Sequence, residues 1–203
     1  MTLPREEVVG GFLDELGRFE ALVRSLDAGA WERPSRCAGW RVADVAAHVT
    51  GQLADVNAGR FEGLGTPEVT EREVAERRGR TPAQLADELH DLAAAGATTL
   101  AALDDEAWKS PAPAGILPTL GDGVEALWYD AWLHADDMRA AIGRPTELGK
   151  GLDGVISHVA FELRKRGWTG EVPTSGDEDA VAWVLEATGR RPARPGLLDI
   201  YAT

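Results

Sequence analysis

The chain has 203 residues, 44% of them hydrophobic, and a formal net charge of −13. That length and apolar content suffice for a sizeable core and argue against wholesale disorder, while the acidic balance disfavours nucleic acid and anionic membrane surfaces, which are recognised by neutralising phosphates. Cys37 is the single cysteine, no basic segment leads into an apolar run, and no stretch approaches the ~20 apolar residues of a membrane span, so the expectation is a cytoplasmic protein without a disulfide.

The first predicted helix covers residues 4–27. Val9, Phe12, Leu16, Phe19, Val23 and Leu26 recur at alternating spacings of three and four, the stripe of an amphipathic helix. A loop rich in Gly and Pro follows, DAGAWERPSRCAGW, and then a second helix over 41–58 with Val42, Val45, Val49, Gln52 and Val56 on its inner face. Residues 59–80 are charged and contain glycines. They read as a solvated excursion with a short helix near 70–77. TPAQ opens a third helix, 81–103, with Thr81 as cap and Pro82 at the first helical position. A proline-rich connection, WKSPAPAGILPTLGDG, leads to a fourth helix over 120–142, closed by Gly143 and Pro145. A fifth helix is expected at 150–166 and a short last one, containing Trp183, at 177–188. No alternating strand pattern stands out. The expectation is therefore all-α: a four-helix bundle with long crossover connections in residues 1–145, and a short C-terminal helical extension in 146–203.

The fourth helix raises a chemical question. Its apolar stripe runs Leu120, Val124, Leu127, Ala131, His134, Met138, Ile142, so His134 stands at a buried position. Asp130 lies four residues earlier, only ~40° away around the helix. A buried carboxylate must be paired or bind metal. The spacing leaves two readings open: an Asp–His hydrogen bond that orients a core histidine, or two ligands to one metal ion. His48, beside the Val45 and Val49 stripe of the second helix, is a second histidine able to face the same interior. Asp44 repeats the four-residue spacing before it, but its place in the first helical turn suits a cap. His48, Asp130 and His134 together form a set of two histidines and one carboxylate. Three protein ligands leave a coordination position open, as catalytic metal sites do.

WERPSRCAGWRVADVAAHVTG, followed much later by YDAWLHADDMRAAIGRP, resembles the mycothiol-dependent maleylpyruvate isomerase family, actinobacterial helical bundles of the DinB-like superfamily. The resemblance covers roughly residues 5 to 145. It implies a divalent metal, usually taken as zinc, held by a histidine of the second helix and by an acidic residue and histidine four apart on a later helix. These positions fall on His48, Asp130 and His134, with Asp130 where the family more often has the longer glutamate. The resemblance also implies mycothiol as a thiol cofactor at the open position. Residues 146–203 are short for the isomerase's C-terminal domain. The functional expectation is a metal-dependent, thiol-using transferase or isomerase acting on a small electrophilic molecule. A metal-dependent hydrolase using activated water and a non-catalytic ligand- or partner-binding module are the alternatives. An exposed helix face would support a homodimer.

Other residues have plainer readings. Cys37 reads as a small buried thiol, His90 as exposed, and His158 as a packed histidine with a fourth ligand or proton shuttle as the alternative. Trp40, Trp128 and Trp132 read as packing or pocket walls, and Arg41, Arg139 and Arg144 as candidate partners of an anionic cofactor or substrate. Glycine-rich phosphate loops, nucleophile elbows and CxxC pairs are absent from the sequence.

Overall fold

The fold is that of a computed structural model describing residues 3–115 and 117–202. Ile116, inside the proline-rich connection, lies outside the described residues. Among the described residues the chain is helical: α1 (Arg5–Arg24), α2 (Ala28–Trp31), α3 (Val42–Asn57), α4 (Pro67–Arg77), α5 (Pro82–Ala102), α6 (Asp105–Lys109), a single 3-10 turn (Pro113–Gly115), α7 (Leu120–Ala141), α8 (Lys150–Lys165) and α9 (Ala180–Ala187).

Local chemistry sets several of these boundaries. Thr81 accepts from the Gln84 amide while the Gln84 side chain accepts from Thr81 N–H, a reciprocal cap that starts α5. Thr119 and Asp122 do the same for α7. Thr66 caps α4, with Pro67 in its first turn. Gly143, at φ 72°, supplies the left-handed residue that ends α7.

Helices α1, α5, α3 and α7 form the bundle, each packed against two neighbours in that cyclic order, so α1 lies diagonally from α3 and α5 from α7. Two of the three connections must therefore cross a diagonal. The core between these helices holds Phe12, Phe19, Val45, Val49, Leu85, Leu89, Trp128 and Met138.

The stripe read for the fourth helix is incomplete. From Trp128 to Arg139 only the half-buried Asp130 breaks a run of buried residues on α7, because a second cluster packs on its outer side. There Tyr129, Trp132 and Leu133 meet Leu152, Val155 and Val159 of α8 and Trp183 and Val184 of α9. The charged 59–80 segment also departs from the solvated reading. Its helix is longer than expected and packs on α3, burying Glu73, Val74 and Arg77. Buried Asp55 of α3 is paired with Arg60 and Arg72 from this same segment.

Candidate metal centre

His48 and His134 project from α3 and α7 into one corner of the bundle. Their rings meet edge to face, centroids 5.1 Å apart. His48 Nε2 lies 3.7 Å from Asp130 Oδ2, and His134 Nε2 lies 3.5 Å from Asp130 Oδ1. One ligand atom from each of the three lies within 4.8 Å of the others. Two ligands of a tetrahedral zinc are roughly 3.4 Å apart, given metal–ligand distances of about 2.1 Å, so the spacing suits a divalent ion after little movement.

Two further observations fit an ion. Asp130 Oδ2 is buried and has no hydrogen-bond partner among the described residues, a costly condition for a carboxylate oxygen unless a cation meets it. Both imidazoles also have their remote nitrogens anchored. His48 Nδ1 lies 2.8 Å from Glu73 Oε2, and His134 Nδ1 lies 3.2 Å from Asp137 Oδ2. With Nδ1–H donating to a carboxylate, each Nε2 keeps its lone pair free and its ring orientation fixed.

Glu73 is a residue that sequence reasoning missed. It belongs to α4, within the segment read as solvated, and is 1% exposed. The close approach that delivers it depends on Gly51 of α3, where an added Cβ would stand 2.5 Å from the Glu73 Cβ. A glycine inside a helix facing an acidic helix was the available signal. Asp137 was within reach by its spacing of three from His134. Its carboxylate also faces Arg36 and Arg190, and its hydrogen bonds with His134 and Arg190 hold its carboxyl below the usual range despite burial. At His48, burial opposes protonation, but Glu73 and Asp130 outweigh it and raise the pKa.

Cys37, His134 and Asp137 form a second group with metal-ligand spacing. It is the poorer candidate. Asp137 already accepts from Arg190 and from the Cys37 thiol. The Cys37 pKa is pushed up to about 12 by burial and by Asp137, which disfavours the thiolate that a metal ligand requires. Cys37 is half-buried, its Sγ 3.7 Å from His134 Nδ1.

Trp40 lies over the imidazoles, its ring 5.4 Å from that of His48 and 6.5 Å from that of His134. Trp128 and Trp132 are buried packing residues. Asp44 accepts from the Arg41 amide at the start of α3, the capping role. His90 is exposed and contacts Glu20. The three candidate arginines are engaged elsewhere: Arg41 with Glu32 and Asp44, Arg139 with Glu147, Arg144 with the Ser25 hydroxyl.

A cavity of about 350 Å³ opens against Asp130. Its walls include Phe12, Leu53, Val56, Phe61, Leu100 and Leu127, with Tyr129 and His158 beside Asp130. His158 packs against Tyr129, ring centroids 4.6 Å apart. Burial brings its pKa down to about 4.

A family model described as the mycothiol maleylpyruvate isomerase N-terminal domain matches residues 12–139. Two crystal structures, of the mycothiol-dependent maleylpyruvate isomerase and of a histidine-to-alanine mutant of it, each match with a TM-score of 0.59 and 18% identity, covering 83% of this chain and 74% of theirs. At that identity the likeness speaks to the fold. No curated protein sequence matches the chain.

Proposed function

Since the chain belongs to the mycothiol maleylpyruvate isomerase N-terminal domain family, we propose that it is a metal-dependent, thiol-using transferase or isomerase acting on a small electrophilic molecule. His48, Asp130 and His134 are the ligands in this reading, zinc is the ion and mycothiol the thiol. The observation that carries it is the orphaned Asp130 oxygen between two imidazoles whose other nitrogens are each held by a carboxylate. Membership of a family described by mycothiol supports the choice of thiol.

A zinc ion held there supplies Lewis acidity that keeps a bound thiol deprotonated near neutral pH. The chain's own groups prepare the place. Glu73 and Asp137 fix the tautomer and aim of the two rings. Arg36 and Arg190 offset the charge of Asp137, so the carboxylate bearing directly on the ion is Asp130. Trp40 shields the imidazoles from bulk water, which strengthens electrostatic interactions at the site. Cys37, held protonated, is left out of the nucleophilic role.

The division of labour along the chain belongs to the same proposal: residues 1–145 carry the metal-binding bundle, and 146–203 form a helical extension packed on α7. No helix among the described residues is long and apolar enough to cross a membrane.

The test is calorimetric titration of mycothiol into zinc-loaded and chelator-treated protein. Saturable binding that requires zinc supports the proposal. Metallated protein that ignores the thiol but hydrolyses esters or amides identifies a hydrolase using activated water. A metal-free bundle that binds neither identifies a non-catalytic module.

A further inference from the structure

The cavity against Asp130 says what kind of second substrate the centre accepts. Its volume, about 350 Å³, is in the range of small-molecule pockets. Its position makes it part of the site, because Asp130 is shared: the carboxylate faces both imidazoles and lines the cavity. We propose that the molecule occupying this cavity is an uncharged, largely apolar electrophile and not a small carboxylic acid. This rests on the thiol-transfer reading above.

The lining argues for it by charge. Among the described residues around the cavity there is no lysine or arginine. The polar side chains away from the centre are Gln52, Asn57 and Thr99, which can hydrogen-bond a carbonyl or nitro group but neutralise nothing. The ionisable groups are Asp130, Tyr129 and His158, the last a buried ring packed on Tyr129. A carboxylate placed here would leave water and meet no cation from the wall. Arg36, which approaches the centre through Asp137, is committed to Asp136 and Asp137. An apolar body, in contrast, gains from burial against leucine and phenylalanine side chains.

Gly96 of α5 allows a direct test. It lines the cavity, and a Cβ there would meet nothing nearer than Asn57 at 4.0 Å, so the first atom of a Gly96→Leu side chain enters without a clash, the rest takes up cavity space, and helix propensity rises. The probe is N-phenylnaphthylamine fluorescence, followed on the full chain as purified and again after chelation. Dimethyl maleate and maleate then compete as an ester and an acid of the same skeleton. The ester is expected to displace the probe at a concentration at least roughly tenfold lower than the acid. Gly96→Leu is expected to abolish probe binding while retaining the parent's metal content. Maleate competing as well as the ester in either form overturns the proposal, as does undiminished probe binding by Gly96→Leu. Metal content is read separately, so a chain that binds no zinc defeats the functional proposal while the ester-to-acid ratio still decides this one.

Discussion

The proposed centre depends on residues of two kinds, those that would hold an ion and those that orient them. The first kind was legible. A spacing of four placed Asp130 and His134 on one buried face, and His48 stood beside the Val45 and Val49 stripe of the second helix. Glu73 was not legible, because it reaches His48 across 25 residues of sequence from a segment whose charge suggested solvent. Its role makes a sharp prediction: Glu73→Gln, nearly isosteric, should weaken zinc binding about 10–100-fold, measured by competition with a chelating dye, with the helical circular dichroism unchanged. Unaltered affinity would reduce Glu73 to a packing residue. Cys37 carries a second prediction. With its pKa pushed up to about 12, it should alkylate with iodoacetamide far more slowly at pH 8 than a free thiol, and Cys37→Ser should keep both metal and thiol binding. Rapid alkylation would mean that the environment of Asp137 does not suppress the thiolate.

Helices were easier to read than their neighbours. Apolar spacing and end signals located α1, α3, α5, α7 and α8 to within a few residues. The short α2 and α6 escaped, since four or five residues carry no period. Burial of α4 escaped for a different reason. Its apolar content is low, and it docks through Glu73, Val74 and Arg77 against the glycine face of α3. Gly51→Ala tests that docking. The added methyl favours the helix by propensity but stands 2.5 Å from the Glu73 Cβ. Overpacking of this kind costs about 1–3 kcal/mol, so a lower melting temperature together with weaker zinc binding is expected. Gain in stability without change in metal affinity would show that α4 adapts freely. A comparable close fit joins α7 to both cores. The Trp128 ring passes between Gly11 of α1 and Gly154 of α8, where added Cβ atoms would lie 2.2 and 2.4 Å from it. A single-stripe reading could not reveal that α7 is covered on both sides, because its second partner comes later in the chain.

At the scale of the molecule, two cores share α7, and the site sits where that shared helix meets α3 and α4. His158 couples the second core to pH. Its pKa is lowered to about 4 in the folded chain, chiefly by burial, against the pull of Glu162 and Asp130. Unfolded, the ring titrates near 6.5. Above that pH it is neutral in both states and its contribution is complete. As pH falls toward 4 the unfolded chain takes up a proton that the folded one refuses, and stability declines by up to about 1.4 kcal/mol per pH unit. Chelator-treated His158→Phe should lose less stability than the parent between pH 6.5 and 5 in urea melts, whereas parallel curves would assign the ring an exposed titration. The proposed function stands on His48, Asp130 and His134 holding one ion. Its most direct test is zinc content by mass spectrometry on protein purified without a histidine tag, beside His48→Ala and His134→Ala. About one zinc per chain in the parent, lost in both variants while helicity persists, is the predicted result. A parent that leaves zinc-containing buffer without metal after dialysis, or alanine variants that retain it in full, would contradict it.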